Sequence, residues 1–177
     1  RCSAIDCGRN AFNDVTAGSE NTSVIECRIV DVGGCAWEGA SRFVKFVGNY
    51  VRNAGTVAMG NLGVANRDAT FPALGAGQHL VANNIFESTV PYGGAAVRAA
   101  VGATQVHITH NTFVNFNASA VHLSGSSDPT HYPTAQAVVA GNLFDMTAVD
   151  AAPVPRTAID ISAAQVIVAD NQILVRG

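Results

Sequence analysis

Charge is scarce in this 177-residue sequence, and basic charge is scarcest. Only 13% of the residues are charged, Lys45 is the single lysine, and the formal net charge is -3 at pH 7. Nucleic-acid binding needs a basic surface that neutralises phosphates. The composition therefore predicts no nucleic-acid partner.

Long apolar runs are also missing. Runs such as the one around Gln136–Ala140 are far too short to span a bilayer, so we expect no membrane insertion by this segment. No amphipathic helical pattern is visible either. A 48% hydrophobic chain of this length can bury a sizeable core, which favours one domain over residues 1–177.

Cysteine is sparse and confined to the first fifth of the chain. The four cysteines are Cys2, Cys7, Cys27 and Cys35. Their spacings do not match the close pairs of a structural zinc site, and we predict no metal site. Two glycosylation triplets begin at Asn21 and Asn117. Together these features favour an extracellular protein, either secreted or displayed at the cell surface.

One asparagine recurs in the same local context along most of the chain. Segments with an apolar residue three places before and two places after the asparagine surround Asn49, Asn84, Asn111, Asn142 and Asn171. The spacings are 35, 27, 31 and 29 residues, and Cys27 and Cys7 extend the series with spacings of 22 and 20. A basic repeat of about 20–22 residues, lengthened by loops, explains the series.

The repeat predicts parallel strands stacked in register. The two apolar columns should point inward at the usual strand separation of about 4.8 Å, with the asparagines forming an amide ladder. A second strand follows each anchor, with alternating buried and polar positions. An antiparallel sandwich would need short turns every 8–12 residues or so and would not repeat one anchor. We therefore predict an all-β, right-handed parallel β-helix of about six to seven coils.

Excess spacing places three loops, near 60–77, 124–135 and 146–157. Long loops on a rigid scaffold commonly carry binding residues, here Asp128, His131 and Tyr132. Neither end shows a capping segment for the open strand edges. We therefore expect the chain to be part of a longer protein, with flanking domains or partner chains covering the ends.

Three stretches resemble a known family. They are the run Cys27–Cys35 with its glycine pair, residues 47–55 and His107–Phe113. They look like the parallel β-helix repeat of the pectin-lyase-like superfamily, most similar to large secreted glycosidase-like β-helix proteins. The resemblance covers nearly the whole chain and implies the fold. It does not choose an activity, because such repeats occur in lyases, hydrolases, epimerases, tailspikes and non-catalytic surface proteins.

Candidate chemistry lies on the outward positions of the second strand. Arg98, His122 and Asp160 should lie on consecutive coils about 5 Å apart, with Glu38 further along the same column. A carboxylate can orient a histidine, and an arginine can bind a sugar carboxylate or sulfate. A solvated face with a mild charge ladder is the structural alternative. Glu38 and Asp160 would be about 19 Å apart, too far for a glycosidase pair.

Two further features leave alternatives open. A second outward column, directly before the anchors, reads Asp6, Glu26, Gly48, Asn83, His110, Gly141 and Asp170. Its acids could attract a calcium ion, but ordinary solvation explains them equally, and we predict no cofactor. Cys7 and Cys27, in adjacent anchor slots, could form a disulfide or remain stacked thiols, and Cys2–Cys35 is a second candidate bond.

Two functions therefore compete. One is an extracellular carbohydrate-binding domain that also cleaves polysaccharide, as a glycoside hydrolase or a lyase. Clefts rich in lysine and arginine, common in uronate lyases, have little counterpart here, which disfavours a lyase. The other function is a non-catalytic structural or adhesive module of a larger surface assembly, and a trimeric tailspike is a third.

Overall fold

The computed structural model describes residues 2–14, 21–39, 43–54, 59–62, 77–88, 95–99, 103–116, 119–124, 135–147 and 157–175. These residues form strands, turns and bends. None of them forms a helix, so no span suited to crossing a membrane as a helix occurs among them. The described part of the chain is all-β.

The described residues contain nineteen strands in three sheets, and every pairing among these strands is parallel. Sheet 1 contains β1 (Ser3–Ile5), β4 (Arg28–Val32), β7 (Tyr50–Ala54), β10 (Ile85–Glu87), β13 (Thr112–Val114), β16 (Leu143–Asp145) and β19 (Gln172–Leu174). Sheet 2 contains β2 (Phe12–Asp14), β5 (Trp37–Gly39), β8 (Met59–Leu62), β11 (Val97–Ala99), β14 (Ser119–Leu123) and β17 (Thr157–Ile161). Sheet 3 contains β3 (Ser23–Ile25), β6 (Lys45–Val47), β9 (Gly77–Ala82), β12 (Thr104–Thr109), β15 (Ala135–Ala140) and β18 (Ala164–Ala169).

Successive strands enter the three sheets in strict rotation. Each strand therefore pairs with the strands three places before and after it in the chain, as β10 pairs with β7 and β13. Adjacent parallel strands lie about 4.8 Å apart, so the same sequence position recurs along each sheet at that interval. The arrangement is compatible with a solenoid.

The core consists of the inward columns. Val81, Ile108 and Val139 are fully buried in sheet 3, and Phe86 and Phe144 are fully buried in sheet 1. Three phenylalanine rings stack along sheet 1, with centroid separations of 5.2 Å between Phe86 and Phe113 and 5.0 Å between Phe113 and Phe144. Offset stacking of aromatic rings adds to the free energy of burying their area.

The five anchor asparagines form the ladder that the repeat predicts, at the corner between sheets 3 and 1. Asn84 Nδ2 donates to Asn111 Oδ1 at 2.9 Å, and Asn111 Nδ2 donates to Asn142 Oδ1 at 3.0 Å. The same pattern joins Asn49 to Asn84 and Asn142 to Asn171. Each Oδ1 also accepts a backbone N–H from the preceding anchor residue. The ladder therefore satisfies buried backbone and side-chain groups together.

The residue before each anchor has a left-handed backbone. These residues, with φ between 51° and 68°, are Glu26, Gly48, Asn83, His110, Gly141 and Asp170. Glycine and asparagine adopt this conformation most readily, which explains much of the column's composition. The backbone of the corner, rather than a shared ligand, accounts for that composition.

The first coil does not follow the alignment taken from the sequence. Ser3–Ile5 pairs in sheet 1 with Arg28–Val30, so Cys2, not Cys7, lies beside Cys27. The disulfide joins Cys2 to Cys27, with a Cα–Cα distance of 4.7 Å. Neither candidate bond, Cys7–Cys27 or Cys2–Cys35, is therefore formed, and Cys7 and Cys35 are free thiols. Asp6, displaced by the same shift, does not neighbour Glu26 in register.

One loop boundary also changes. Met59–Leu62 forms β8 and pairs with β11, so the loop predicted near 60–77 begins after Leu62. β15 begins at Ala135 and β17 begins at Thr157. Most of the three loops lies outside the described residues.

Candidate functional site

Arg98, His122 and Asp160 lie side by side on the outer face of sheet 2. Arg98 pairs in register with His122 on the next strand, and His122 pairs with Asp160 on the strand after that. His122 Nδ1 lies 3.3 Å from Asp160 Oδ2, and their side chains are 33% and 47% exposed. The predicted row is therefore present, and it faces solvent.

Strand alternation explains why these three side chains point outward. On β11, Val97 and Ala99 are fully buried, whereas Arg98 between them is exposed. On β14, Val121 and Leu123 are fully buried on either side of His122. The apolar residues on either side of each polar residue thus fix the face of the sheet to which the polar side chain points.

A register shift lies immediately before Arg98. Val97 pairs with Met59 but Arg98 pairs with Asn61, so one residue of β8 is passed over. Such bulges bend a strand and change the direction of a side chain. The shift makes Asn61 the register partner of Arg98.

The row can bind and orient an acidic ligand. Asp160 can hold the imidazole of His122 in one orientation, and imidazole is the side chain best suited to accept and release protons near neutral pH. The Arg98 guanidinium can donate two parallel hydrogen bonds to a carboxylate or sulfate. Positioning, proton transfer and charge neutralisation are therefore available on three neighbouring strands.

Glu38 lies on the same sheet but does not join the row. Its strand β5 is separated from β17 by three intervening strands, which places Glu38 about 19 Å from Asp160. Two carboxyl groups of a glycosidase lie within roughly 9.5 Å of each other. Glu38 instead accepts a hydrogen bond from Asn10 Nδ2. Of the remaining predicted ligand-binding residues, Asp128, His131 and Tyr132 lie outside the described residues.

Glu38 also contributes to the raised pKa of a neighbouring thiol, that of Cys35. Burial, reinforced by the negative charge of Glu38, raises the pKa of the Cys35 thiol to about 11 from its ordinary value of 9.0. Cys35 N–H donates to Asn10 Oδ1 at 2.8 Å, so Asn10 bridges Cys35 and Glu38. This end of sheet 2 is a structural network rather than a reactive-cysteine site.

The predicted modification sites are only partly described. Asn21 is exposed, with φ of 60°, and its glycosylation remains a prediction. Asn117 lies outside the described residues. Within the described ranges, no group of three or more His, Cys, Asp or Glu side chains could hold a metal ion, and the calcium alternative gains no support there.

A polar network on the outer face of sheet 1 was not predicted. Asn53 Nδ2 donates to Asp31 Oδ1 at 2.9 Å, and Arg52 makes an ion pair with Asp31 at 3.4 Å. The Tyr50 hydroxyl donates to the Glu87 carboxylate, and this hydrogen bond is the main cause of the raised pKa of Tyr50. The signal available in the sequence was that these polar residues lie one to four places after successive anchors.

A row of glutamines on sheet 3 was also missed. Glutamine recurs six residues before each of the last four anchor asparagines, as Gln78, Gln105, Gln136 and Gln165. All four are exposed. The column could have been found by extending the alignment three positions upstream of the first apolar column.

Comparison with known proteins gives no relative. No family model, no curated protein and no solved structure matches the chain.

Proposed function

We propose that this chain is a stretch of right-handed parallel β-helix of the pectin-lyase-like kind, and that it binds and cleaves a polysaccharide outside the cell. Support for the fold comes from the strict rotation of strands through three parallel sheets and from the amide ladder at one corner. Support for the location comes from the Cys2–Cys27 disulfide, a bond typical of oxidising compartments.

One observation carries the proposed activity. Arg98, His122 and Asp160 occupy one outward column on three consecutive strands, with His122 and Asp160 in contact. Side chains repeated along a parallel stack can follow a linear polymer that lies along it. Arg98 favours a sugar that carries a carboxylate or sulfate.

The roles follow from the contact. Arg98 would bind the acidic group of one sugar, His122 would exchange a proton at the bond to be broken, and Asp160 would orient the imidazole. Among the described residues no carboxylate neighbours Asp160, whereas a retaining or inverting glycosidase needs two carboxyl groups close together. The acidic partner of a hydrolase would have to come from a loop, for which Asp128 remains a candidate.

Partners follow from the exposed apolar side chains of the outermost strands. Ile167 is 61% exposed and Ile173 is 52% exposed, on the last strands of sheets 3 and 1. On the immediately preceding strands the matching residues are the half-buried Val138 and the buried Phe144. We propose that a flanking domain or a partner chain covers these edges.

The experiment compares two histidine variants of the whole chain. His122→Ala should lower cleavage of an acidic polysaccharide such as polygalacturonate or alginate at least about 100-fold, the usual contribution of a positioned proton-transfer group. His107→Ala is the matched control, because His107 is an exposed histidine on sheet 3. Reducing ends and unsaturated products should be measured together, since only a lyase forms the latter.

Retention of full turnover by His122→Ala would refute the proposed site. The rival function is a non-catalytic structural or adhesive module. It is favoured by the lack, among the residues whose side chains are described, of a metal-binding group and of a second carboxylate paired with Asp160. A wild-type chain that assembles or adheres without cleaving any tested polysaccharide would establish the rival.

A further inference from the structure

Four glutamines form a regular row on the outer face of sheet 3. This glutamine row consists of Gln78, Gln105, Gln136 and Gln165, on β9, β12, β15 and β18. The pairs Gly77–Thr104 and His79–Val106 flank the first two members, and Ala135–Ala164 and Ala137–Val166 flank the last two. Neighbouring glutamines are therefore in register at the strand spacing of about 4.8 Å.

The backbone does not explain why the residue is glutamine. All four have a left-handed conformation, with φ of 60°, 52°, 56° and 56°. Glycine and asparagine are the residues that adopt this conformation most readily. Glutamine at all four positions therefore indicates a requirement for its side chain.

The fold does not use those side chains either. In the part of the chain that the structure describes, none of the four amides takes part in a hydrogen bond, although all are exposed. The asparagine ladder, by contrast, is buried and fully bonded along its length. Each free amide offers two donors and a carbonyl acceptor.

The strands that carry the glutamine row have no formal charge, and the one charged residue on the described strands of sheet 3 is the exposed Lys45 on β6. The four strands read GQHLVA, TQVHIT, AQAVVA and AQVIVA, without Asp, Glu, Lys or Arg. Beside the glutamine row lies a column that consists of Lys45, Leu80, His107, Val138 and Ile167, in which the aliphatic residues alternate with the exposed Lys45 and His107. Amides next to aliphatic side chains match a ligand with hydroxyl edges and apolar C–H surfaces.

We propose that the glutamine row binds an extended, uncharged polysaccharide lying along the stack of strands. In an extended β-1,4-linked chain the sugar rings recur at an interval close to the strand spacing, and hydroxyls both donate and accept. A polyanion would meet a single lysine, Lys45, on the described strands of this face. The residues of an extended peptide would not match the spacing of the glutamines, since they rise about 3.3 Å each. The inference rests on the carbohydrate-binding function proposed above but assigns a second surface, distinct from the Arg98 row.

The test measures binding of the whole chain to cellohexaose and mannohexaose by calorimetry. Gln105→Asn combined with Gln136→Asn shortens two side chains while keeping a residue type that tolerates the left-handed backbone. We expect binding at least about tenfold weaker, with an unchanged unfolding temperature. Gln172→Asn, on the exposed face of sheet 1, is the matched control and should stay within about twofold.

The outcomes separate the two surfaces. Wild-type binding that the double glutamine variant weakens and that Arg98→Ala/His122→Ala leaves intact would support the glutamine row. Absence of wild-type binding, or equal binding by the double variant, would overturn it. A change of oligomeric state in the double variant would also overturn it, because a second copy would then be the occupant. Cleavage of polygalacturonate, measured separately, decides the proposed function in every case.

Discussion

At the scale of single residues, the anchor asparagine does what no other side chain can do in the same space. Asn111 Nδ2 donates to Val81 O and to Asn142 Oδ1, while Asn111 Oδ1 accepts from the backbone and side chain of Asn84. Aspartate lacks the donors, and leucine lacks every polar atom. The side chain is 1% exposed, so water cannot replace these bonds.

Replacing Asn111 by alanine should therefore be costly. The Asn84 backbone N–H and the Val81 carbonyl would lose buried partners, and each unsatisfied group costs about 1–3 kcal/mol. We expect the free energy of unfolding to fall by about 3 kcal/mol in urea titrations. Thr112→Ala, in the neighbouring outward position, should change it by less than about 1 kcal/mol. Similar losses for both variants would contradict the ladder's role.

Cys35 gives a prediction about pH. Its folded pKa, about 11, lies above the ordinary 9.0, so in the folded state the thiolate is disfavoured by burial and by Glu38. In a Cys7→Ser background, alkylation of Cys35 at pH 8 should be about 100-fold slower in the folded than in the unfolded chain. The stability that this group contributes is complete below pH 9 and is lost as pH rises through 11. Equal alkylation rates in both states would show that the thiol is not shielded.

At the scale of strands and corners, the sequence revealed the repeat because one anchor recurs with apolar residues at fixed offsets. The first coil was misaligned because cysteine stands both in the anchor slot, at Cys2 and Cys27, and outside it, at Cys7. Periodicity alone cannot distinguish those cysteines. The sequence also did not reveal the backbone conformation of the column before the anchors. Its charges suggested ion binding, whereas the property that its members share is a positive φ.

The phenylalanine stack should contribute strongly to this packing. Phe113 stacks on Phe86 and Phe144 and meets Phe116 edge-on at 6.5 Å. Phe113→Ala should lower the free energy of unfolding by about 3–5 kcal/mol through the cavity it leaves. Phe113→Leu should cost less than half of that. Val114→Ala, half-buried on the same strand, is the control for strand disruption, and a loss equal to that of Phe113→Ala would argue against stacking.

At the scale of the whole molecule, the sequence placed Arg98, His122 and Asp160 on consecutive strands because each directly follows two small or apolar residues. That local pattern can be recognised even where the number of residues between successive coils varies. Loop residues such as Asp128 and Tyr132 carry no such periodic constraint, so their position relative to the row could not be derived. The glutamine row follows the same periodicity, three positions before the first apolar column.

Cysteine cross-linking tests this register most directly. In a background where Cys7 and Cys35 are serine, the pair Arg98→Cys/His122→Cys should oxidise to a disulfide, because adjacent strands place the two Cα atoms within the 4.4–6.8 Å or so that the bond requires. The pair Arg98→Cys/Asp160→Cys, two strands apart at about 9.6 Å, should stay reduced. Mass spectrometry distinguishes the two results. A bond in the second pair but not in the first would contradict the stacked register and the proposed site with it.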